Sequence, residues 1–245
     1  MRQRPLQLIR ETFPDDPTLD HALSRAVLMQ VAEGSLPDTI RVWKPDRCVA
    51  FSARDARDAV YGRAREAALS LGFAAVERLA GGRAAVFHPG TVAIAWARSE
   101  STSPAPILQR FEEGSTIVAL ALQNLGVDAR VGQVPGEYCP GDHSINIGGR
   151  KKVAGLGQRV TRGASHLGGV IVVEDGRSVA RVLEAVYEAL AIEWDPLVTG
   201  SVSEEIGCSW SSVVDSLLQE LSRHYDLIDV SMPPSTLAAA QKLAG

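Results

Sequence analysis

"GEYCPGDHSINIGGRKKVAGLGQRVTRG", Gly136 to Gly163, sets one cysteine in a turn and follows it with glycine-rich apolar runs and a series of cations. The segment "EYCPGD" is polar and carries both proline and glycine, which is turn chemistry and favours a loop position for the Cys139 thiol. Beyond it, "SINI", "KKVAGLGQRV" and "GGVIVV" have the apolar and β-branched content of strands. Glycines inside such a strand, here Gly155 and Gly157, mark places where another backbone or a ligand comes close. Successive strand residues face opposite sides, so Lys151 and Lys152 are expected to diverge. Arg150, Lys151, Lys152, Arg159 and Arg162 bring a positive field to Cys139 if these strands fold back over the loop. Such a field lowers a thiol pKa from its free value of ~8.5. On spacing alone Cys139 is open to two readings, an activated nucleophile or a buried apolar thiol. Cys48, inside an apolar run, and Cys208, in a helix-like stretch, read as packing residues.

The surrounding elements point to the fold class. "PTLDHALSRAVLMQVAEG" places Leu19, Leu23, Ala26, Val27 and Val31 at helical spacing before Gly34, a helix stop. "TIRVW" and "CVAFS", joined by "KPDR", read as a hairpin. A helix over "ARDAVYGRAREAALSLG" precedes three strand-like runs, "AAVER", "RAAVFH" and "TVAIAWA", split by Gly81-Gly82 and Pro89-Gly90. "PILQRFEEGSTIVALALQNLG" is a long amphipathic helix. Two more helices are expected around 178–190 and 203–225, and a short last one in "PPSTLAAAQKLAG". Helices do not alternate regularly with strands, and hairpin-type turns dominate. The expectation is an α+β protein with a mixed, largely antiparallel sheet flanked by helices. With no repeat or low-complexity linker, residues 1–245 read as one domain.

Composition excludes several functions. The 245 residues are 45% hydrophobic, enough for a sizeable core in a soluble globular protein. No apolar run approaches the roughly 20 residues of a membrane span, and the N-terminus has no signal-peptide stretch. Three widely spaced cysteines argue against a disulfide framework and for a reducing cytoplasm. A net charge of −4 offers no general attraction to nucleic acid. P-loop, Gly-x-Gly-x-x-Gly, paired CxxC and HExxH patterns are absent, and "GASHLGG" misses the Gly-x-Ser-x-Gly elbow by one residue. His143 and His166 have no recognisable ligand spacing with Cys139, so no metal is expected.

A second glycine cluster lies in "RLAGGRAAVFH", Arg78 to His88, where Gly81 and Gly82 permit close backbone approach or positive φ. Together with Gly155 and Gly157 they suggest a narrow, backbone-lined slot. This stretch resembles the arginine–diglycine–histidine signature of the biotin/lipoate protein ligase and lipoyl/octanoyl transferase superfamily. "KVAGLGQRVTRG", Lys152 to Gly163, is similar to its second signature, a lysine followed by a small residue and glycine. The likeness extends over about residues 20 to 225.

The resemblance implies a class II biotin/lipoate ligase-like catalytic domain over 1–245, without an accessory C-terminal domain. Cys139 and Lys152 would be catalytic, and Arg78, Gly81, Gly82, His88, Gly155 and Gly157 would bind substrate. ATP-dependent lipoate ligases continue the first motif as His-Asp-x-Gly-Asn, whereas this chain reads His88-Pro89-Gly90-Thr91. Cysteine-dependent octanoyl transferases and amidotransferases carry a cysteine before the motif lysine in a loop like "YCPG", as Cys139 is placed. The implied chemistry is a lipoyl or octanoyl thioester on Cys139, its carbonyl held by Lys152. The group would pass to a lysine of a lipoyl-type carrier domain (the glycine-cleavage H protein or a 2-oxoacid dehydrogenase E2 subunit), with no ATP required. One alternative is a lipoate–protein ligase that uses ATP and Mg to form an acyl-adenylate, with Cys139 a bystander. Another is a non-catalytic binder of acyl groups or carrier domains. Ala80, Gly81, Gly82, Ala154, Gly155 and Gly157 are the residues expected beside the acyl chain.

Overall fold

The structure, a computed structural model, describes residues 3–13, 15–100 and 107–244. The chain begins with β1 (Arg4–Ile9), α1 (Pro17–Glu33), β2 (Thr39–Trp43), β3 (Cys48–Phe51), α2 (Tyr61–Ser70), β4 (Ala74–Glu77), β5 (Ala85–Phe87) and β6 (Thr91–Ser99). It continues through α3 (Ile107–Asn124), β7 (Ala129–Val131), β8 (Ile145–Ile147), β9 (Lys151–Thr161) and β10 (Ala164–Val172). α4 (Gly176–Ala189), α5 (Val202–Ile206), α6 (Trp210–Ser222), β11 (Tyr225–Asp229) and α7 (Pro234–Ala244) complete it.

An eight-stranded sheet runs β11-β1-β2-β6-β10-β9-β8-β7, and a three-stranded sheet runs β4-β3-β5. β1 pairs in parallel with β11 and β2, and β3 with β4; the other ladders are antiparallel. The expected α+β architecture, a mixed and largely antiparallel sheet flanked by helices, is what the chain forms.

The central strand β6 shows why the layers stack as they do. Its large residues Val92, Ile94 and Trp96 join the core under α3 and α6. The alternate positions are alanines. Ala93 and Ala95 let the small sheet approach closely, in a cluster with Trp43, Ala50, Val76 and Phe87. Ala97 receives Val27 and Val31 of α1. Period-2 alternation of large and small therefore assigns α3 and α6 to one face, and the second sheet with α1 to the other. The outer face of the small sheet, Val49, Phe51 and Val86, is covered by α2 and α4.

α1 begins where expected, with the Asp16 carboxylate accepting from the Leu19 N–H and Pro17 in the first turn, and it ends at Gly34 with φ 77°. Three expectations need correction. "TIRVW" and "CVAFS" do not form a hairpin: β2 is paired on both edges, by β1 and β6, and β3 starts the other sheet. Both runs are buried along their whole length, so neither carries the alternation that distinguishes a hairpin from a change of layer. The helix expected over 203–225 is broken at Gly207, with φ 66°, and restarts after Ser209, which caps α6 through the Ser212 N–H. Cys208 accordingly lies in the link between two helices. α6 ends at Ser222, and Tyr225 already opens β11. Among the described residues no helix is long and apolar enough to cross a membrane.

Candidate active site

The loop between β7 and β8 holds Cys139, and its shape is set by a buried carboxylate. Glu137, 4% exposed, accepts from the Val134 N–H (2.9 Å), the Gly141 N–H (3.3 Å), the Ser144 hydroxyl (2.5 Å) and Lys152 Nζ (3.0 Å). Lys152, 1% exposed, spends its other two donors on the carbonyls of Tyr138 (2.9 Å) and Cys139 (2.8 Å). The ammonium also sits 4.7 Å from the centre of the Tyr138 ring. From the opposite side the Cys139 N–H donates to the Tyr187 hydroxyl of α4 (3.1 Å), which donates to the Ala84 carbonyl (3.0 Å). Held this way, Cys139 has φ 42°, a left-handed conformation that costs a non-glycine residue energy and is found where function over-determines the backbone.

The thiol faces the diglycine loop. Cys139 Sγ accepts from the Arg83 N–H at 3.1 Å and lies 3.7 Å from the Arg78 guanidinium. Arg78 also donates to the Gly81 (2.8 Å) and Arg83 (2.6 Å) carbonyls, clamping the turn. Arg83 turns its own guanidinium away to Asp55 at 3.0 Å. Burial alone would push the Cys139 thiol up, but the charges of Arg78 and Lys152 and the two hydrogen bonds to sulfur outweigh it and hold the thiol below its ordinary pKa. Burial pulls the Lys152 ammonium down, against the attraction of Cys139 and Glu137. Thiolate reactivity follows: alkylation of Cys139 by iodoacetamide is expected to inflect below the ~8.5 of a free thiol. Arg78→Met is expected to move that inflection upward, and a profile unmoved by the substitution would contradict the guanidinium's role.

The structure brings Arg78, Gly81, Gly82, Cys139, Lys152, Gly155 and Gly157 to one cleft of about 790 Å³. Two of the glycines are needed there for stated reasons. A Cβ on Gly157 would fall 2.9 Å from Ala80 Cβ and 3.2 Å from the Gly81 carbonyl, so strand β9 can touch the turn only through glycine. Gly82 has φ 99°, and a Cβ there would lie 2.7 Å from Cys139 Sγ. Gly82→Val is therefore expected to lower stability by about 1–2 kcal/mol or more, about 2–4 °C of melting temperature per kcal/mol, besides blocking the thiol. An unchanged melting curve would show that the loop relaxes freely.

Other expectations fall elsewhere. His88 is not at the cleft: the chain turns after β5, and His88 Nδ1 accepts from the Gly90 N–H within that turn (3.1 Å). Ala154 is in the core beneath α3, while Ala80 lines the narrow cavity that shares Arg78 with the cleft. Lys151 is exposed, diverging from Lys152 as its strand position predicts. His143 stacks on Phe111 near the cleft mouth, with ring centres 5.2 Å apart, while His166 is buried in the other cavity. No group of His, Cys, Asp or Glu among the described residues could hold a metal ion. Glu137 and Tyr187 were not singled out from sequence. The acid two residues before Cys139, in a stretch otherwise rich in cations, was the available sign for the first; Tyr187 gave none.

A mostly antiparallel sheet that joins a diglycine turn to a lysine-bearing strand around one cleft is the layout of a lipoate-ligase-type catalytic domain. The chain belongs to the lipoyl protein ligase A/B catalytic domain family, whose pattern matches residues 16–230. Among its relatives is the octanoyl-[GcvH]:protein N-octanoyltransferase of Geobacillus kaustophilus (strain HTA426), 29% identical over 213 residues, or 82% of this chain and 74% of that one. The fold is shared with the crystal structure of lipoate-protein ligase A bound with ATP, with a TM-score of 0.76 and 20% identity over 100% of this chain and 94% of that one. It is shared too with the bi-partite lipoate protein ligase from Thermoplasma acidophilum, studied with its E2 lipoyl domain, with a TM-score of 0.73 and 19% identity over 99% and 92% of the two chains.

Proposed function

We propose that this protein transfers an octanoyl or lipoyl group to a lysine of a lipoyl-type carrier domain through a thioester on Cys139. The observation that carries the reading is a thiol in a left-handed loop, met by a backbone N–H and a guanidinium inside an apolar-walled cleft. The Cys139 thiolate attacks the donor's acyl carbonyl; a C–S bond forms, the bond from the carbonyl carbon to the donor breaks, and the leaving group takes up the proton that the thiol released. The carrier lysine's ε-amine then attacks the thioester, the C–N bond forms, the C–S bond breaks, and the thiol is restored. Lys152 acts by holding the Cys139 carbonyl and supplying charge beside the sulfur. The acceptors are the glycine-cleavage H protein or E2 lipoyl domains, and the Geobacillus relative, with GcvH in its name, supports the former. The setting is the reducing cytoplasm, in keeping with three unpaired cysteines.

The acyl tail belongs in the narrow cavity behind Arg78 and Ala80, lined by Trp43, Phe87, Ile94, Ala95 and Gly168. The walls Trp43, Phe87, Ile94 and Ala95 are buried, whereas Ile107 and Leu108 at the cleft mouth are 58% and 57% exposed and remain wet. The open cleft is left for the incoming lysine.

The deciding experiment is intact-mass measurement after incubation with octanoylated carrier, with and without ATP and Mg. An octanoyl adduct that maps to Cys139 without nucleotide is expected. Product that forms only with ATP, and no adduct, would replace this reading with the adenylating ligase.

Carrier domains of this kind are acidic around the modified lysine in the family resembled. A groove beside the cleft gathers Arg25 and Arg57 with Arg159 and Arg162, against Glu33 and Glu77. Arg150 and Lys151 lie at the other end of β9 and do not join it. Transfer rates below saturation are expected to fall as salt rises past ~0.1 M, where screening sets in over ~10 Å. A rate indifferent to salt would remove Arg159 and Arg162 from carrier steering.

A further inference from the structure

The cleft continues inward as a row of three spaces. The Cys139 cleft and the narrow inner cavity share Arg78 as a common wall. The inner cavity in turn shares His21 and Leu79 with a third space, lined further by Thr18, Ala22, Arg25, Val76 and Glu77 and by Leu243 of α7. Between the second and third spaces stands the His21 imidazole. It is fixed edge-on against Phe87, with ring centres 5.2 Å apart, and its Nε2 lies 3.6 Å from Cys48 Sγ. We propose that His21 is the specificity-determining residue for acyl length: its ring is the floor of the acyl cavity, and the space under α7 is an outlet that longer chains would enter if the ring were removed. This rests on the acyl-transfer reading above.

Three observations carry it. One side wall of the inner cavity is strand β10, packed tightly enough that a Cβ on Gly168 would fall 2.6 Å from His166 Nε2 and one on Gly169 would fall 2.8 Å from the Gly155 carbonyl. A chain that lengthens along the row meets the His21 ring. His21 sits on the second turn of α1, and its ring meets Phe87 and Cys48, which lie outside the loop that carries Cys139. It also carries no ion pair, and burial with the nearby Arg78 and Arg41 charges holds the ring's pKa down to about 3. A neutral ring can face an acyl chain without the desolvation penalty of a charge.

The test compares octanoyl, dodecanoyl and palmitoyl thioesters as donors, reading the rate at which each loads Cys139 by intact mass. The parent protein is expected to load octanoyl and to discriminate against the longer chains. His21→Ala is expected to raise the dodecanoyl-to-octanoyl ratio at least about tenfold, because each added methylene gains burial in the outlet. Thr18→Trp, at an exposed position lining the third cavity, should cancel that gain in the double variant by refilling the outlet. A ratio unchanged in His21→Ala, with a normal melting curve, overturns the proposal; so does a gain that Thr18→Trp leaves intact. His21→Val, a smaller change of volume, gives the same readout should alanine not fold. A parent protein that loads no acyl donor at all sinks the acyl-transfer reading itself, which separates the two failures.

Discussion

Cys139→Ala is expected to abolish both acyl loading and transfer, while Cys48→Ala and Cys208→Ala retain most of the activity. The three thiols differ in environment, not in kind. Cys48 is 1% exposed and burial pushes its thiol up beyond the range in which a thiolate forms. Burial raises Cys208 as well, and the nearby Glu174 carboxylate pushes the same way. Only Cys139 has two cations and two hydrogen-bond donors at its sulfur. The same loop supplies a control for folding. Cys139 holds φ 42°, so alanine inherits the strain and glycine relieves it. Cys139→Gly should then be the more stable of two inactive variants, by about 1–2 kcal/mol. Full activity of Cys139→Ala with ATP and Mg present would discard the thioester and leave the adenylating ligase.

Lys152→Met is expected to lower the transfer rate by on the order of 10²-fold or more, the loss typical of removing a positioned charge or donor. It is also expected to cost about 3–5 kcal/mol of stability, because Glu137 would be left buried without its cation. The pair is inaccessible, at 1% and 0% side-chain exposure, so solvent screening does not soften that loss. The two effects can be separated. Adding Glu137→Gln removes the orphaned charge and should restore much of the melting temperature, but not the rate, because the Cys139 carbonyl still lacks its ammonium. Lys151→Met should do little to either, since that side chain is exposed. Equal losses from the two lysines would mean that the strand's facing has been misread. A double variant with both stability and rate restored would reduce Lys152 to a structural part.

Much of this was legible in the residues. Glycine at 82 and 157, proline and glycine around Cys139, and the strand alternation that separates Lys151 from Lys152 are local requirements, and each is visible at its own position. The large–small alternation of "TVAIAWA" likewise carries the two-sided packing of β6 within the run itself. What could not be read were choices between partners distant in the chain. "TIRVW" and "CVAFS" are equally apolar whether they pair or part, and only the competing edges of β1, β6, β4 and β5 send them into different sheets. His88 looked like a site residue from its place in a motif, yet the turn to β6 carries it away from the cleft. The grip of Tyr187 on the Cys139 backbone and the position of His21 between two cavities join residues far apart in sequence. Local conformation is governed by short-range sterics and hydrogen bonding, which a sequence window contains. Which surfaces meet is governed by the burial and polar satisfaction of the whole chain at once, and that balance exists only in the folded protein.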